Sequence, residues 1–125
     1  MDWEPIPEAA IWDLINEAEL RMSISQARLW EAIRLTPHKW NEKSYGAAGN
    51  GFWVVAIMGS TVIWYNDIED GFNLSSYSNF GTIDEYWCNQ DELEFAVQHA
   101  LNAIESGQQT TPRCGPPIAG EYNPV

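Results

Sequence analysis

The hydrophobic pattern is densest between residues 51 and 65, where it predicts a β-hairpin. Residues 52–58 are seven consecutive apolar positions. Because successive side chains of a strand point to opposite faces, this run indicates a strand that is buried on both sides. A second β-rich run follows at 61–65, and the intervening Gly59-Ser60 fits a type II′ turn. We therefore expect helices or the C-terminal tail to cover both faces.

Before the hairpin, apolar residues at helical spacing predict two helices. The first begins near Pro7 and carries one apolar stripe as far as Met22. A capping box that starts at Ser23 predicts the beginning of the second helix. This helix should end before Pro37, because the residue that precedes a proline is pushed out of the helical region. One bent helix over residues 8–35 remains an alternative.

A third helix is predicted after the hairpin. Asn89 and Glu92 form a capping signal, an unbroken apolar stripe follows, and Gly107 suits the left-handed position after a helix end. Beyond Gly107 the chain is rich in proline and glycine and has no periodicity. We therefore predict one domain over residues 1–107 and an extended or disordered tail over residues 108–125.

The remaining segments complete the predicted topology. Their composition predicts, in order, a loop at 38–50, a turn at 66–71, an edge strand or ordered loop at 72–77, a turn at 78–81 and a strand at 82–87. Short connections favour strands that are neighbours in sequence and in space. The expected fold is thus α+β, an antiparallel meander of three to four strands with two N-terminal helices and one C-terminal helix, in a single domain.

Charge excludes several classes of function. The 125 residues include 6 Lys and Arg against 18 Asp and Glu, a formal net charge of −12. Proteins that bind nucleic acids or anionic membranes have the opposite balance. The longest apolar run is far shorter than the roughly 20 residues of a membrane-spanning helix. The N-terminus lacks the pattern of a secretory signal, and two cysteines make no disulfide framework. We therefore expect a cytoplasmic protein.

The charge is also unevenly distributed. No Lys or Arg lies between Ser44 and Pro112, whereas five of the six basic residues precede this segment. The pattern predicts a negative potential over the sheet and the last helix. One interpretation is solubility alone. The other is a docking face for a basic protein, with aromatic anchors. The residues that we predict for this face are Trp64, Tyr65, Asp67, Glu69, Asp70, Asp84 and Glu85.

Two functional hypotheses follow. The leading one is a small acidic protein-binding module that docks a basic protein, of which a toxin-neutralising immunity protein is an instance by size and charge. The alternative is a hydrolase or lyase that uses the same carboxylates, with or without a divalent ion. It requires the strand at 82–87 to pair near the turn at Asp67, so that two carboxylates face each other. A homodimer joined through surplus aromatic residues is compatible with either.

Other candidate sites are weak. If Gly71 is aligned with position 6 of an EF-hand loop, positions 3 and 12 are Ile68 and Tyr77, which supply no side-chain carboxylate. Cys88 precedes a predicted helix start, but its acidic neighbours disfavour a thiolate. The glycine-rich stretch 46–51 precedes a strand rather than a helix, unlike a phosphate-binding loop. We therefore assign no catalytic residue, metal site or cofactor.

Overall fold

A computed structural model describes residues 4–107 of the chain, so the tail predicted at 108–125 lies outside the described residues. The architecture is α+β, with three helices and a five-stranded mixed sheet. The elements in chain order are α1 (Glu8–Arg21), α2 (Ile24–Ile33), β1 (Arg34–Glu42), a 3₁₀ turn (Gly46–Gly49), β2 (Phe52–Met58), β3 (Thr61–Asn66), β4 (Gly71–Ser76), β5 (Thr82–Ile83) and α3 (Leu93–Ser106).

The first two helices are separate, and the alternative of one bent helix is wrong. Met22 and Ser23 are both extended, with ψ of 140° and 168°. The predicted capping box is confirmed: the Ser23 hydroxyl accepts the Gln26 N–H at 3.2 Å, and the Gln26 side chain accepts the Ser23 N–H at 2.9 Å. Two otherwise unsatisfied donors are thereby bonded at the start of α2. No helix within residues 4–107 is long and apolar enough to cross a membrane.

The predicted hairpin of β2 and β3 is confirmed. Gly59 has a φ of 61°, and Ser60 is not among the residues with positive φ, which is the pattern of a type II′ turn. A register shift between Val54 and Ala56 marks a bulge in β2. As a result, the neighbours Val55 and Ala56 both belong to the helix-side core cluster, whereas Val54 belongs to the opposite cluster.

The loop predicted at 38–50 is wrong in its first part. Residues Arg34–Glu42 form β1, which pairs antiparallel with β2. The register shifts between Arg34 and His38, and Pro37 lies in this irregular stretch. A proline is tolerated there because it need not donate a ladder hydrogen bond. Pro37, which indicated the end of α2, thus lies within a strand that begins directly after that helix.

The predicted antiparallel meander is also incomplete. Strands β1 to β4 do form one, but the strand predicted at 82–87 shortens to Thr82–Ile83 and pairs parallel with β1. Residues 84–91 then return along the free edge of β4. The Ser75 hydroxyl donates to the Glu85 carbonyl, and the Phe72 N–H donates to the Asp91 carbonyl, each at 2.8 Å. This return prevents residues 84–87 from extending β5.

The start of α3 also differs from the prediction, whereas its end agrees. The helix begins at Leu93, and Glu92 rather than Asn89 occupies the N-cap position, without a side-chain capping bond. Residues 89–91 are already bonded to β4 and so remain extended. Gly107 ends the helix in the left-handed conformation, with a φ of 71°.

The sheet separates two apolar clusters. The first lies between the sheet and the helices and includes Ile11, Ile15, Trp30, Val55, Ile63, Tyr65, Phe72, Leu93 and Val97. The second lies on the opposite face and consists of Trp40, Phe52, Val54, Val62, Trp64 and Ile83. Tyr77 and Tyr86 pack against this second cluster. Burial of β2 on both sides is confirmed, but within the described residues the second face is covered by the segment around β5, not by a helix.

Candidate functional site

A cleft with a volume of about 260 Å³ opens between α1, the β3–β4 connection and the residues that precede α3. Three elements that are distant in sequence thus supply its walls. Four carboxylates and one guanidinium line it, beside two aromatic rings. The lining residues are Leu14, Glu17, Arg21, Tyr65, Asp70, Phe72, Gln90, Asp91, Glu92 and Leu93.

Helical spacing places the α1 residues on one side of the cleft. Leu14, Glu17 and Arg21 are separated by three and four positions, so they lie one above another on the same helix face. The adjacent face of α1 packs into the core through Ile11, Ile15 and Ala18, and Leu14 packs against the same core. Burial of the core-facing side chains sets the rotation of α1 about its axis and so determines which side chains face the cleft.

Tyr65 and Asp70 form the wall that comes from the sheet. The Tyr65 hydroxyl donates to Asp70 Oδ1 at 3.4 Å. Asp70 has a φ of 58°, a left-handed conformation that aspartate tolerates better than most residues. Burial, reinforced by the Asp70 carboxylate, raises the pKa of Tyr65 to about 12. Tyr65 thus remains a neutral donor and apolar surface near neutral pH.

The guanidinium in the cleft is already bonded to carboxylates. Arg21 contacts Glu92 at 2.6 Å and donates two hydrogen bonds to Glu94, whose side chain is only 7% exposed. The hydrogen bond to Glu94 is the main reason why the pKa of Arg21 is raised. Burial tends to raise the pKa of Glu94, but the bonds from Arg21 bring it below its usual value. Arg21 thus holds α1 against the start of α3.

Asp91 is fixed by contacts on both its backbone and its side chain. Its carbonyl accepts the Phe72 N–H, and its Oδ2 lies 3.5 Å from His99 Nε2 on α3. This contact is an ion pair when His99 is protonated. The carboxylates that face the cleft with the most exposure are therefore those of Glu17, Asp70 and Glu92.

Trp64 does not belong to an exposed face. It has no exposed surface, lies in the second apolar cluster and donates its indole N–H to the Ser75 hydroxyl at 2.8 Å. Its neighbour Tyr65 points to the other side of β3, as alternation requires. Of this adjacent pair, only Tyr65 lines the cleft. We therefore remove Trp64 from the predicted contact residues.

Asp67 is likewise buried, at 8% exposure. Its Oδ2 accepts the Ile6 N–H at 2.8 Å, while the Trp53 indole donates to the Ile6 carbonyl at 2.9 Å. Burial raises the pKa of Asp67, and the hydrogen bond from Ile6 opposes this effect. Asp67 therefore attaches the segment before α1 to the sheet and is not positioned to contact a partner.

The other predicted acids are exposed, and of these Asp84 and Glu85 lie apart from Asp70. Glu69 is in the β3–β4 turn. Asp84 accepts the Ser78 hydroxyl at 2.8 Å, and Glu85 accepts the Ser76 N–H at 3.0 Å. Ser76 ends β4, whereas Asp70 precedes its first residue, so the two groups are separated by about 20 Å of extended strand.

The alternative of a carboxylate-based enzyme requires two carboxylates to face each other near the turn at Asp67. The end of the segment at 82–87 reaches this turn, since the Trp87 carbonyl accepts the Asn66 side-chain amide at 3.0 Å, but Asp84 and Glu85 bond to Ser78 and Ser76 instead. Within residues 4–107, no group of three or more His, Cys, Asp or Glu side chains is arranged to hold a metal ion. Cys88 is partly exposed.

Sequence reasoning missed Glu17, Arg21, Asp91 and Glu92 as site residues. A signal was present in α1, where Asp13, Glu17 and Arg21 recur at four-residue spacing and mark one charged face. That spacing does not reveal which element the face approaches. The contact between α1 and the start of α3 is tertiary, across more than 70 residues.

No protein-family model, curated protein or solved structure matches the chain.

Proposed function

We propose that the protein is a binding module that docks a basic protein partner on the cleft between α1, the β3–β4 connection and residues 90–93. The observation that carries this proposal is the chemistry of the cleft. Four carboxylates line it, and its single guanidinium is already bonded to Glu92 and Glu94. Glu92 is compensated by this pairing, so a cationic side chain from a partner would meet negative charge chiefly at Glu17 and Asp70.

The aromatic wall suits the same kind of ligand. A lysine or arginine side chain has an apolar stem and a charged end, and it packs well on an aromatic ring. Tyr65 lines the cleft beside the Asp70 carboxylate, and because it is only 7% exposed, a small part of its surface is available to such a side chain. Of the residues predicted from the sequence, the proposed contact surface retains Tyr65 and Asp70 and adds Glu17 and Glu92. Asp84, Glu85 and Glu69 would contribute at longer range.

The overall charge supports rapid association. A formal charge of −12 on 125 residues creates a negative potential that attracts a basic protein before contact. Such steering raises association rates and weakens as salt is added. A small acidic protein that neutralises a basic toxin would be one instance of this class, by analogy of size and charge.

The test compares matched charge variants of the full chain. The Glu17→Gln/Asp70→Asn double variant removes two cleft charges, and asparagine retains the tolerance for the left-handed backbone at position 70. The Asp84→Asn/Glu85→Gln double variant removes the same charge at the other end of β4. Each immobilised chain is exposed to a lysate of the native cells, and captured proteins are identified and titrated.

We expect wild type and the Asp84/Glu85 variant to capture the same basic protein. The Glu17/Asp70 variant should bind it roughly tenfold more weakly, because two cleft contacts lose their charge. Raising the salt concentration should weaken wild-type binding more than it weakens binding by the cleft variant. Capture of no basic protein, or equal affinity of the two double variants, would contradict the proposed function.

A further inference from the structure

The two most exposed large apolar side chains within residues 4–107 lie at one corner of the molecule. Leu20, near the end of α1, is 89% exposed, and Ile24, the first residue of α2, is 74% exposed. They are four positions apart in the chain, so their Cα atoms are at most about 14 Å apart. A single exposed leucine needs no explanation, but a pair at one corner next to a cleft is a candidate contact surface.

Helix geometry connects this corner to the cleft. Leu20 is three positions after Glu17, so the two side chains are neighbours on the surface of α1. Glu17 lines the cleft, and the exposed Asp13 lies one turn before it. The exposed face of α1 therefore runs from two carboxylates to an apolar end, with the cleft along one side.

We propose that this face and the apolar corner dock a basic amphipathic segment of the partner protein. Apolar side chains of that segment would cover Leu20 and Ile24, while its lysine or arginine side chains would reach Glu17 and the cleft. Charge complementarity supports this choice of partner: Glu17 borders Leu20 on α1, and Arg21 is bonded to Glu92 and Glu94. The exposed Arg28, one turn after Ile24 on α2, is the cation beside this corner. The inference rests on the proposed function and specifies the chemistry of the partner.

A second copy of this chain fits the same face poorly. In a two-fold dimer each subunit contributes the same patch. A dimer through this face would therefore bring Asp13 and Glu17 of both copies into one interface, and this surplus of like charge disfavours association. A basic segment brings apolar cover for Leu20 without this repulsion.

The experiment uses two synthetic fluorescent peptides of equal positive charge as probes. The first has leucines at i, i+3, i+4 and i+7 among lysines, and the second has serine in place of every leucine. Their affinities for the full chain are measured by fluorescence anisotropy at several salt concentrations. The variants are Leu20→Gln and, as a control, Ile104→Gln. Ile104 is 52% exposed and lies on α3 about 15 Å along the axis from Glu94.

We expect Leu20→Gln to weaken binding of the leucine-containing peptide roughly tenfold, since an apolar contact is lost, and to leave the serine peptide unchanged. Ile104→Gln should change neither affinity. The Leu20→Gln variant should fold, because Leu20 is almost fully exposed and glutamine is a good helix former. A thermal unfolding midpoint equal to that of wild type checks this.

The outcomes separate the two proposals. If Leu20→Gln leaves both affinities unchanged while Glu17→Gln/Asp70→Asn weakens both, the apolar corner is not a contact and this inference is overturned, but the proposed function stands. If both peptides bind wild type equally, the inference is likewise overturned. If Glu17→Gln/Asp70→Asn leaves the affinities of both peptides unchanged, the proposed function is overturned, and the inference that rests on it is overturned as well.

Discussion

The side chain of Asn73 on β4 pairs with the backbone of Asn89 in both directions. Its Oδ1 accepts the Asn89 N–H at 2.8 Å, and its amide donates to the Asn89 carbonyl at 3.2 Å. Asn73 has no exposed surface. The Asn73 side-chain amide thus makes the two hydrogen bonds to Asn89 that the backbone of a neighbouring strand would otherwise make. It positions the residues that continue into 90–93, which form one wall of the cleft.

We expect Asn73→Ala to lower the free energy of unfolding by about 2–4 kcal/mol, because two partly buried backbone groups of Asn89 lose their partners. Urea unfolding followed by fluorescence measures the difference. The control is Asn102→Ala on α3, where an exposed asparagine accepts a hydrogen bond from Gln98. That variant should stay within about 0.5 kcal/mol of wild type. Equal losses for the two variants would contradict the structural role of Asn73.

The contact between Arg21 and Glu94 predicts a dependence of stability on acid pH. Because the pKa of Glu94 is lowered in the folded protein, its carboxylate contributes stability above its unfolded pKa, and this contribution is lost as the pH falls through the folded pKa. Wild type should therefore exceed Glu94→Gln in stability at pH 7, and the difference should shrink as the pH falls below 4.5, the ordinary pKa of this group, and through the lower folded pKa.

Unfolding by urea at a series of pH values measures this difference. Glu31→Gln is the control, since Glu31 forms an exposed ion pair with Arg34 at 3.4 Å. Exposed pairs contribute little, so this variant should match wild type at every pH. A difference between wild type and Glu94→Gln that is the same at pH 7 and pH 3 would contradict the assignment.

Tyr65 predicts a second dependence, at alkaline pH. Its pKa in the folded protein is about 12, against 10 for an ordinary tyrosine. The unfolded chain therefore ionises first, and a stability term that is present below pH 10 is lost as the pH rises from 10 to 12. After allowance for solvent screening, we expect this group to remove about 1–2 kcal/mol across that range.

Tyr65→Phe should lack this part of the alkaline destabilisation. Tyr45→Phe, at a tyrosine that is 47% exposed, serves as the control and should follow wild type. Asp70→Asn should narrow the pH range over which Tyr65 ionisation lowers stability, but it should not abolish this effect, because burial is the larger cause of the raised pKa of Tyr65. Stability curves of wild type and Tyr65→Phe that are parallel from pH 9 to pH 12 would contradict the prediction.

The elements that sequence predicts well are those with local signals. The hairpin at Gly59 and the capping box at Ser23 depend on residues within a few positions of each other, and both are present. β1 escaped prediction because the register shift around Pro37 breaks the alternation that identifies a strand.

Other features depend on contacts between distant residues. Gly71 is an ordinary turn glycine by sequence, yet a Cβ at this position would lie 2.2 Å from the Asn89 carbonyl oxygen, so its absence lets the return segment approach β4. The same approach keeps Asn89 from capping α3. Tyr65 and Asp70 were predicted for the site because they lie in one acidic aromatic run. Glu17 and Glu92 join them only when α1 packs against the start of α3.

The composition of the cleft walls has a thermodynamic consequence. The residues that line the cleft are spread along the sequence from Leu14 to Leu93, so the unfolded chain presents no equivalent surface. A partner that binds there binds the native state alone and shifts the unfolding equilibrium by mass action. At a free concentration one hundred times its Kd, it would add about 2.7 kcal/mol to the free energy of unfolding. In the cell, the lifetime of this protein against proteolysis would then rise and fall with the supply of its partner.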